Sequence, residues 1–143
     1  MIEVYSYIEK DLDSMKFNHW ARFLKSKKSI KNIKSYLNNA YSYTMFDNDK
    51  PIAILAFDEY EDGKYDGCII ADESFGNNPK YAIKMKKFIE FVIKKFDMKR
   101  VQTTSEDNEK LNKWHEFLGF TLEKKDYWEY KGIKHNLWGM QWE

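Results

Sequence analysis

The stretch SEDNEKLNKWHEFLGF, Ser105 to Phe120, places one imidazole, His115, in a run with helical spacing. A free imidazole titrates at about 6.5, so it can give or take a proton near neutral pH. Upstream, Asp72 and Glu73 close an apolar segment, where carboxylates could deprotonate an amine directly or through water. Next comes GNNPKYAIK, Gly76 to Lys84. Gly76 and Asn77 tolerate positive φ, Asn78 suits an N-cap, Pro79 suits a first helical turn, and Lys80 or Lys84 offers a point charge. Each residue also has a structural reading. His115 could be a helix residue bonded to a neighbour, and the two carboxylates could simply finish a strand. Cys68, in the apolar segment GCII, reads as a packing thiol, since no cation or His adjoins it. His19 and His135 lack ligand spacing, so no metal site is expected.

The 143 residues fit one domain spanning 1–143. Hydrophobic content of 43% and aromatic content of 17% indicate a folded globule. Lys plus Arg (24) balance Asp plus Glu (23), which argues against nucleic acid or an anionic membrane as partner. Only two of those cations are Arg, so bidentate phosphate recognition is nearly absent. Cys68 is the only cysteine, so no internal disulfide forms. The first residues lack a signal-peptide pattern and no apolar run reaches membrane length, so a cytoplasmic protein is expected.

Strands are expected at Ile2–Ile8, Tyr41–Phe46, Ile52–Phe57 and Tyr65–Asp72, over KRVQTTS, and as a C-terminal pair after Gly119. A helix capped by Asp11 or Asp13 should carry Met15, Trp20, Phe23 and Leu24. A second, capped by Ser29, should bury Ile30, Ile33 and Leu37. A third from Pro79 should bury Ile83, Phe88, Ile89, Val92 and Phe96, with Met85 and Ile93 flanking. The fourth runs from Asn108 to Leu118 and ends at Gly119 in the left-handed region. The order is β-α-α-β-β-β-α-β-α-β-β. A helix between the strands at 65–72 and 101–104 makes that pair parallel. The aromatics of the last two strands, Tyr127, Trp128, Tyr130, Trp138 and Trp142, should be mostly core.

This order, with Asn108-x-x-Leu111-x-x-Trp114-His115-x-x-x-Gly119-Phe120, resembles the GNAT N-acetyltransferase superfamily. The family writes the motif Asn-x-x-Ala-x-x-Leu-Tyr-x-x-x-Gly-Phe, so His115 replaces its Tyr. The resemblance implies a mixed α/β sheet whose central parallel strands splay apart. It implies acetyl-CoA as cofactor. The pantetheine arm would run along the strand at Ile70 and Ala71 and meet Asn108. The pyrophosphate would lie over Gly76, Asn77, Asn78, Lys80 and Tyr81 at the helix start. His115, Asp72 and Glu73 become the catalytic candidates, with His115 in the place of the family's acid. The family's glycine-rich phosphate loop is not present in GNNPKYAIK. Two functions therefore stay open: acetyl transfer to a primary amine of a small molecule or protein, or a non-catalytic GNAT-fold protein. The second resembles small phage proteins of the superfamily, with a protein partner or a second copy meeting the C-terminal strands.

Overall fold

Continuous apolar sequence at Ile52–Phe57 demands a strand covered on both faces, and every residue from Pro51 to Phe57 is buried. In the computed structural model, which describes residues 1–17 and 27–142, this is the middle of β3, Lys50–Glu61. The order is β1 (Ile2–Ser6), α1 (Glu9–Asp13), α2 (Lys27–Asn39), β2 (Tyr41–Asp47), β3, β4 (Lys64–Ala71), α3 (Pro79–Lys95), β5 (Arg100–Glu106), α4 (Glu109–Leu118), β6 (Thr121–Tyr130) and β7 (Ile133–Gln141). A 3₁₀ turn, Phe75–Asn77, precedes α3. The strands form one mixed sheet in the order β1-β2-β3-β4-β5-β7-β6. The expected element order is the observed one. The Trp20, Phe23 and Leu24 positions and His19 lie outside the described residues.

The contacts divide the chain into two units, Met1–Asp58 with Cys68–Met85, and Glu59–Gly67 with Lys86–Glu143. In the first unit β1 and β2 pair antiparallel, as do β2 and β3. Its core holds Leu12, Met15, Leu37, Ile54, Ala56 and Ile70. Full burial of a Leu or Ile side chain stabilises by about 1.5–3 kcal/mol. Asp11 does not cap α1 from outside. It sits within the helix, buried, and its carboxylate accepts the Ile8 N–H (3.0 Å) and the Thr44 hydroxyl (2.8 Å). Ser29 lies inside α2, not at its cap. Half-buried Cys68 packs against this core, and burial pushes its thiol up to about 11.

In the second unit β4 and β5 are parallel, joined from Lys64–Asp66 to Arg100–Gln102. That ladder ends there, while β4 runs on to Ala71 and β5 to Glu106. β7 pairs antiparallel with β5 and with β6. Arg100 is held by Glu123 and Gln141, and a Cβ at Gly139 would overlap the Glu123 carboxylate. Of the C-terminal aromatics, Trp138 is core, but Tyr127, Trp128, Tyr130 and Trp142 are exposed. The expectation of a mostly buried set fails because β6 is the sheet edge and all ten of its residues are exposed. Two register shifts and a positive φ at Asp126 distort that edge.

The buried face of α3 is Tyr81, Met85, Ile89 and Val92, with Ile83 48% exposed. Of the expected stripe, Ile89 and Val92 are buried and Phe88 and Phe96 half-buried, while Ile83 lies about half a turn from the face that Tyr81 and Met85 share with them.

Candidate active site

The polar segment after β4 is drawn inward by one carboxylate. Asp72 is almost fully buried, and its Oδ1 accepts the Lys16 N–H at 2.8 Å. Its Oδ2 accepts the Ser74 hydroxyl at 2.6 Å and the Ser74 N–H at 3.0 Å, with Lys50 Nζ at 3.4 Å. Its own carbonyl accepts the Phe75 N–H, and it bridges to Phe17. Burial alone would raise this carboxyl. The Ser74 and Lys16 hydrogen bonds, with the Lys50 charge, outweigh burial and hold it below the usual carboxylate range. A carboxylate held low and fully hydrogen-bonded is a weak base. Asp72 therefore ties residues 16 and 17 to the loop. Glu73 is exposed, and its N–H donates to the Lys16 carbonyl.

The start of α3 caps itself. Asn78 Oδ1 accepts the Lys80 N–H at 3.0 Å, and the Asn78 carbonyl accepts the Tyr81 N–H at 3.0 Å. Pro79 has no N–H to offer. Tyr81 is buried, stacks on Phe75 and donates its hydroxyl to Asp47 at 2.6 Å. Gly76 and Asn77 lie in the 3₁₀ turn, and the positive-φ glycines among the described residues are Gly63, Gly119 and Gly132. Gly76 thus takes a helical conformation rather than the left-handed one its sequence allows. Lys80 and Gly76 are exposed, Ala71 is half-buried, and Ile70 is core. The amides of Ser74, Phe75, Lys80 and Tyr81 already have acceptors within the chain, so an anion over this helix start would have to displace the Asn78 cap.

The second unit holds the opposite arrangement. Asn108 caps α4 through the Leu111 N–H at 2.9 Å, and Gly119 ends the helix at φ +101°. Asn108 and His115 are seven residues apart, so they share one face of α4. His115 is 7% exposed, stacks on Trp138 (5.3 Å, 18°) and meets Phe120 edge-on (5.7 Å). Its Nδ1 lies 2.8 Å from the Leu111 carbonyl. A carbonyl only accepts, so Nδ1 carries the hydrogen and the lone pair is on Nε2. Burial lowers its pKa, only partly opposed by the Leu111 bond, so the ring is neutral at pH 7. This tautomer suits a base, whereas the family's Tyr is an acid.

Three polar atoms on this side of the sheet are buried without a hydrogen-bond partner: Ser105 Oγ, Asn108 Nδ2 and Trp138 Nε1. Thr103 faces Trp138 and Ser105 faces Asn136 across the β5–β7 ladder. Asn136, 1% exposed, donates to Asp107 (3.0 Å) and accepts the Asp126 N–H (3.1 Å), while Asn112 also donates to Asp107 (3.1 Å). A buried donor without an acceptor costs about 1–3 kcal/mol, so such atoms mark places where a ligand or water would be stabilised. Asn108 Nδ2 and Ser105 Oγ fit the amide groups of a pantetheine arm. The sequence motif pointed to Asn108. Ser105, Asn136 and Trp138 were missed, because only the β5–β7 register brings them together, although an Asn inside an apolar strand is itself a signal.

Several solved structures share this architecture. One is RimL, a ribosomal L7/L12 alpha-N-protein acetyltransferase in complex with coenzyme A, at 17% identity and TM-score 0.73, over 98% of this chain and 93% of that one. Another, from Staphylococcus epidermidis ATCC 12228, is described as a probable acetyltransferase: 18% identity, TM-score 0.75, 99% of both chains. A third is a GNAT-family acetyltransferase of Bacillus anthracis, at 9% identity and TM-score 0.72, over 98% and 94%. No protein-family model matches the sequence, and no curated protein matches it. The chain thus has the GNAT N-acetyltransferase fold, and at these identities the likeness is one of fold.

Proposed function

We propose that this chain, acting as one domain, is an N-acyltransferase. It moves an acyl group, acetyl in the simplest case, from a pantetheine thioester to a primary amine. The observation that carries this reading is the pair of buried, unpartnered atoms Asn108 Nδ2 and Ser105 Oγ on the side of the sheet that holds neutral His115. Fold alone would not support it, since one fold hosts many activities. When bound, the thioester supplies an activated acyl carbon. Asn108 and Ser105 hold the arm by its amides. Trp138 and Phe120 fix the imidazole plane, and the Leu111 carbonyl fixes its tautomer. His115 Nε2 then takes the proton that the attacking amine must lose. Glu73 is the carboxylate of the original candidates that stays open to solvent.

Calorimetry with acetyl-CoA and with acetyl-pantetheine tests this. Both should bind, and a ligand at a hundred times its dissociation constant should stabilise the fold by about 2.7 kcal/mol. No heat from either at millimolar concentration sinks the reading. A second reading then takes over, a GNAT-fold protein that binds a protein partner without catalysis. The engaged amides of Ser74, Phe75, Lys80 and Tyr81 favour it.

A further inference from the structure

We infer that Asn136 is a positioning residue for the arm site: through Asp107 and Asn112 it fixes the head of α4, so that Asn108 keeps its buried Nδ2 free for a carbonyl of the ligand. The inference rests on the acyltransferase reading and names the residue that prepares its donor site. Asn108 Nδ2 is buried with no acceptor. A buried orphan donor costs free energy, and a side chain free to turn would recover a bond. The orphan persists only where the surroundings leave no other arrangement. Three bonds hold Asn108 itself. Its Oδ1 accepts the Leu111 N–H at 2.9 Å, its carbonyl accepts the Asn112 N–H at 2.9 Å, and its N–H donates to the Glu106 carbonyl at 3.0 Å. All three are local to the connection between β5 and α4, so they shape it without fixing it to the sheet.

Asp107, the residue before the cap, does that. Its N–H donates to the Lys134 carbonyl of β7 at 2.8 Å, and its half-buried Oδ1 accepts from Asn136 Nδ2 at 3.0 Å and from Asn112 Nδ2 at 3.1 Å. Asn136 stands on β7 opposite Ser105, whose Oγ is also unpartnered. Asn136 is 1% exposed, yet both ends of its amide are used. Its Oδ1 accepts the Asp126 N–H at 3.1 Å. A backbone N–H only donates, so this bond sets the amide's orientation and turns Nδ2 toward Asp107. The same Nδ2 lies 3.5 Å from Asn112 Oδ1. The Asn112 and Asn136 bonds, with the Lys125 and Lys134 charges, outweigh burial and hold the Asp107 carboxyl below its usual range, so at neutral pH it only accepts. The three side chains close a triangle that joins β7, α4 and the residue before Asn108. An apolar residue at position 136 would leave Asp107 and the Asp126 N–H unmet, and an Asp there would have no hydrogen to give Asp107.

The test is Asn136→Asp, the same shape with the donor removed, read by calorimetry with acetyl-pantetheine and by steady-state kinetics. Affinity should fall about tenfold, the worth of a lost bond to a charged group. KM for acetyl-pantetheine should rise with it, while kcat at saturating donor stays as in wild type. The Leu111 amide hydrogen, which Asn108 Oδ1 accepts, should exchange about tenfold faster. Adding Asp107→Asn restores an amide facing a carboxylate, with Asn112 turning its own amide over, and should return affinity to that of wild type. A network that only stabilised the fold would lower the melting temperature and leave the folded protein's affinity unchanged. That result, or an intact fold that Asp107→Asn fails to rescue, overturns the inference. Should Asn136→Asp not fold, Asn112→Ala decides. It removes one of the two side-chain donors to Asp107 and should weaken acetyl-pantetheine binding about threefold, and unchanged affinity there overturns the inference as well. If wild type binds acetyl-pantetheine and these variants bind it equally well, this inference falls alone. If wild type binds neither it nor acetyl-CoA, the acyltransferase reading falls and takes this one along.

Discussion

The loop before α3 and the start of α4 are both helix N-termini, and they treat their polar groups in opposite ways. Before α3, Asp72 and Asn78 accept the amides of Ser74, Phe75, Lys80 and Tyr81. At α4, Asn108 caps the helix with its oxygen and leaves its buried Nδ2 without an acceptor. A satisfied helix start stabilises the folded chain and offers little to a ligand. An unsatisfied donor costs stability and persists where something else completes it. In the proposed acyltransferase reading, the contrast separates the part that would meet a pyrophosphate from the part that would read the amides of the arm.

The largest expected effect tests the α4 side. His115→Phe should lower turnover by about 10²–10⁴-fold while Asn108 still binds the arm. If Nε2 is the base, wild-type kcat/KM should fall as pH drops through the His115 pKa, and that limb should vanish in the variant. Full activity in His115→Phe would make the imidazole structural. On the other side, Asp72→Ala removes the acceptor for Lys16 and Ser74 and leaves those donors unmet, costing about 3 kcal/mol in a urea titration. A loss below about 1 kcal/mol would show that the inward-turned loop does not depend on this carboxylate.

The same two residues give a pH signature in stability. Both folded pKa values lie below the unfolded ones. The His115 contribution is therefore complete above about pH 6.5 and is lost as pH falls through its lowered folded value, because the unfolded chain binds the proton first. The Asp72 contribution is lost only below about pH 4. Melting curves from pH 7.5 to 3 should show two declines, with the upper one absent in His115→Phe. The smallest effect sharpens the comparison most. Asn78→Gly, costing a few tenths of a kcal/mol, frees the Lys80 N–H and should tighten coenzyme A binding about fivefold, the worth of a displaced cap of about 1 kcal/mol. No gain would mean that Asn78 does not occupy a phosphate position.

Much of this was legible along the chain. The span Asn108–Gly119 declares its helix through a cap, an apolar stripe and a residue free to take positive φ, all local properties. The β3 core and the element order follow from hydrophobic period alone. The face of α3 was legible at Ile89 and Val92, whereas Ile83 falls outside it and only the packed neighbours bring Tyr81 in. The exposed aromatics of β6 were also hidden, since alternation gives the two sides of a strand without saying whether either is covered.

By itself the sequence determined the order of helices and strands, that His115 follows Asn108 on one helical face, and that the stretch before α3 is not glycine-rich. These depend on groups within about a helical turn or two. Tertiary structure decided which polar groups were satisfied. Asp72 meets Lys16 and Lys50, Tyr81 meets Asp47, Ser105 faces Asn136, and His115 stacks on Trp138. Each pair is distant in the chain, and a hydrogen bond exists only when packing brings donor to acceptor within about 3 Å, so no local pattern records it.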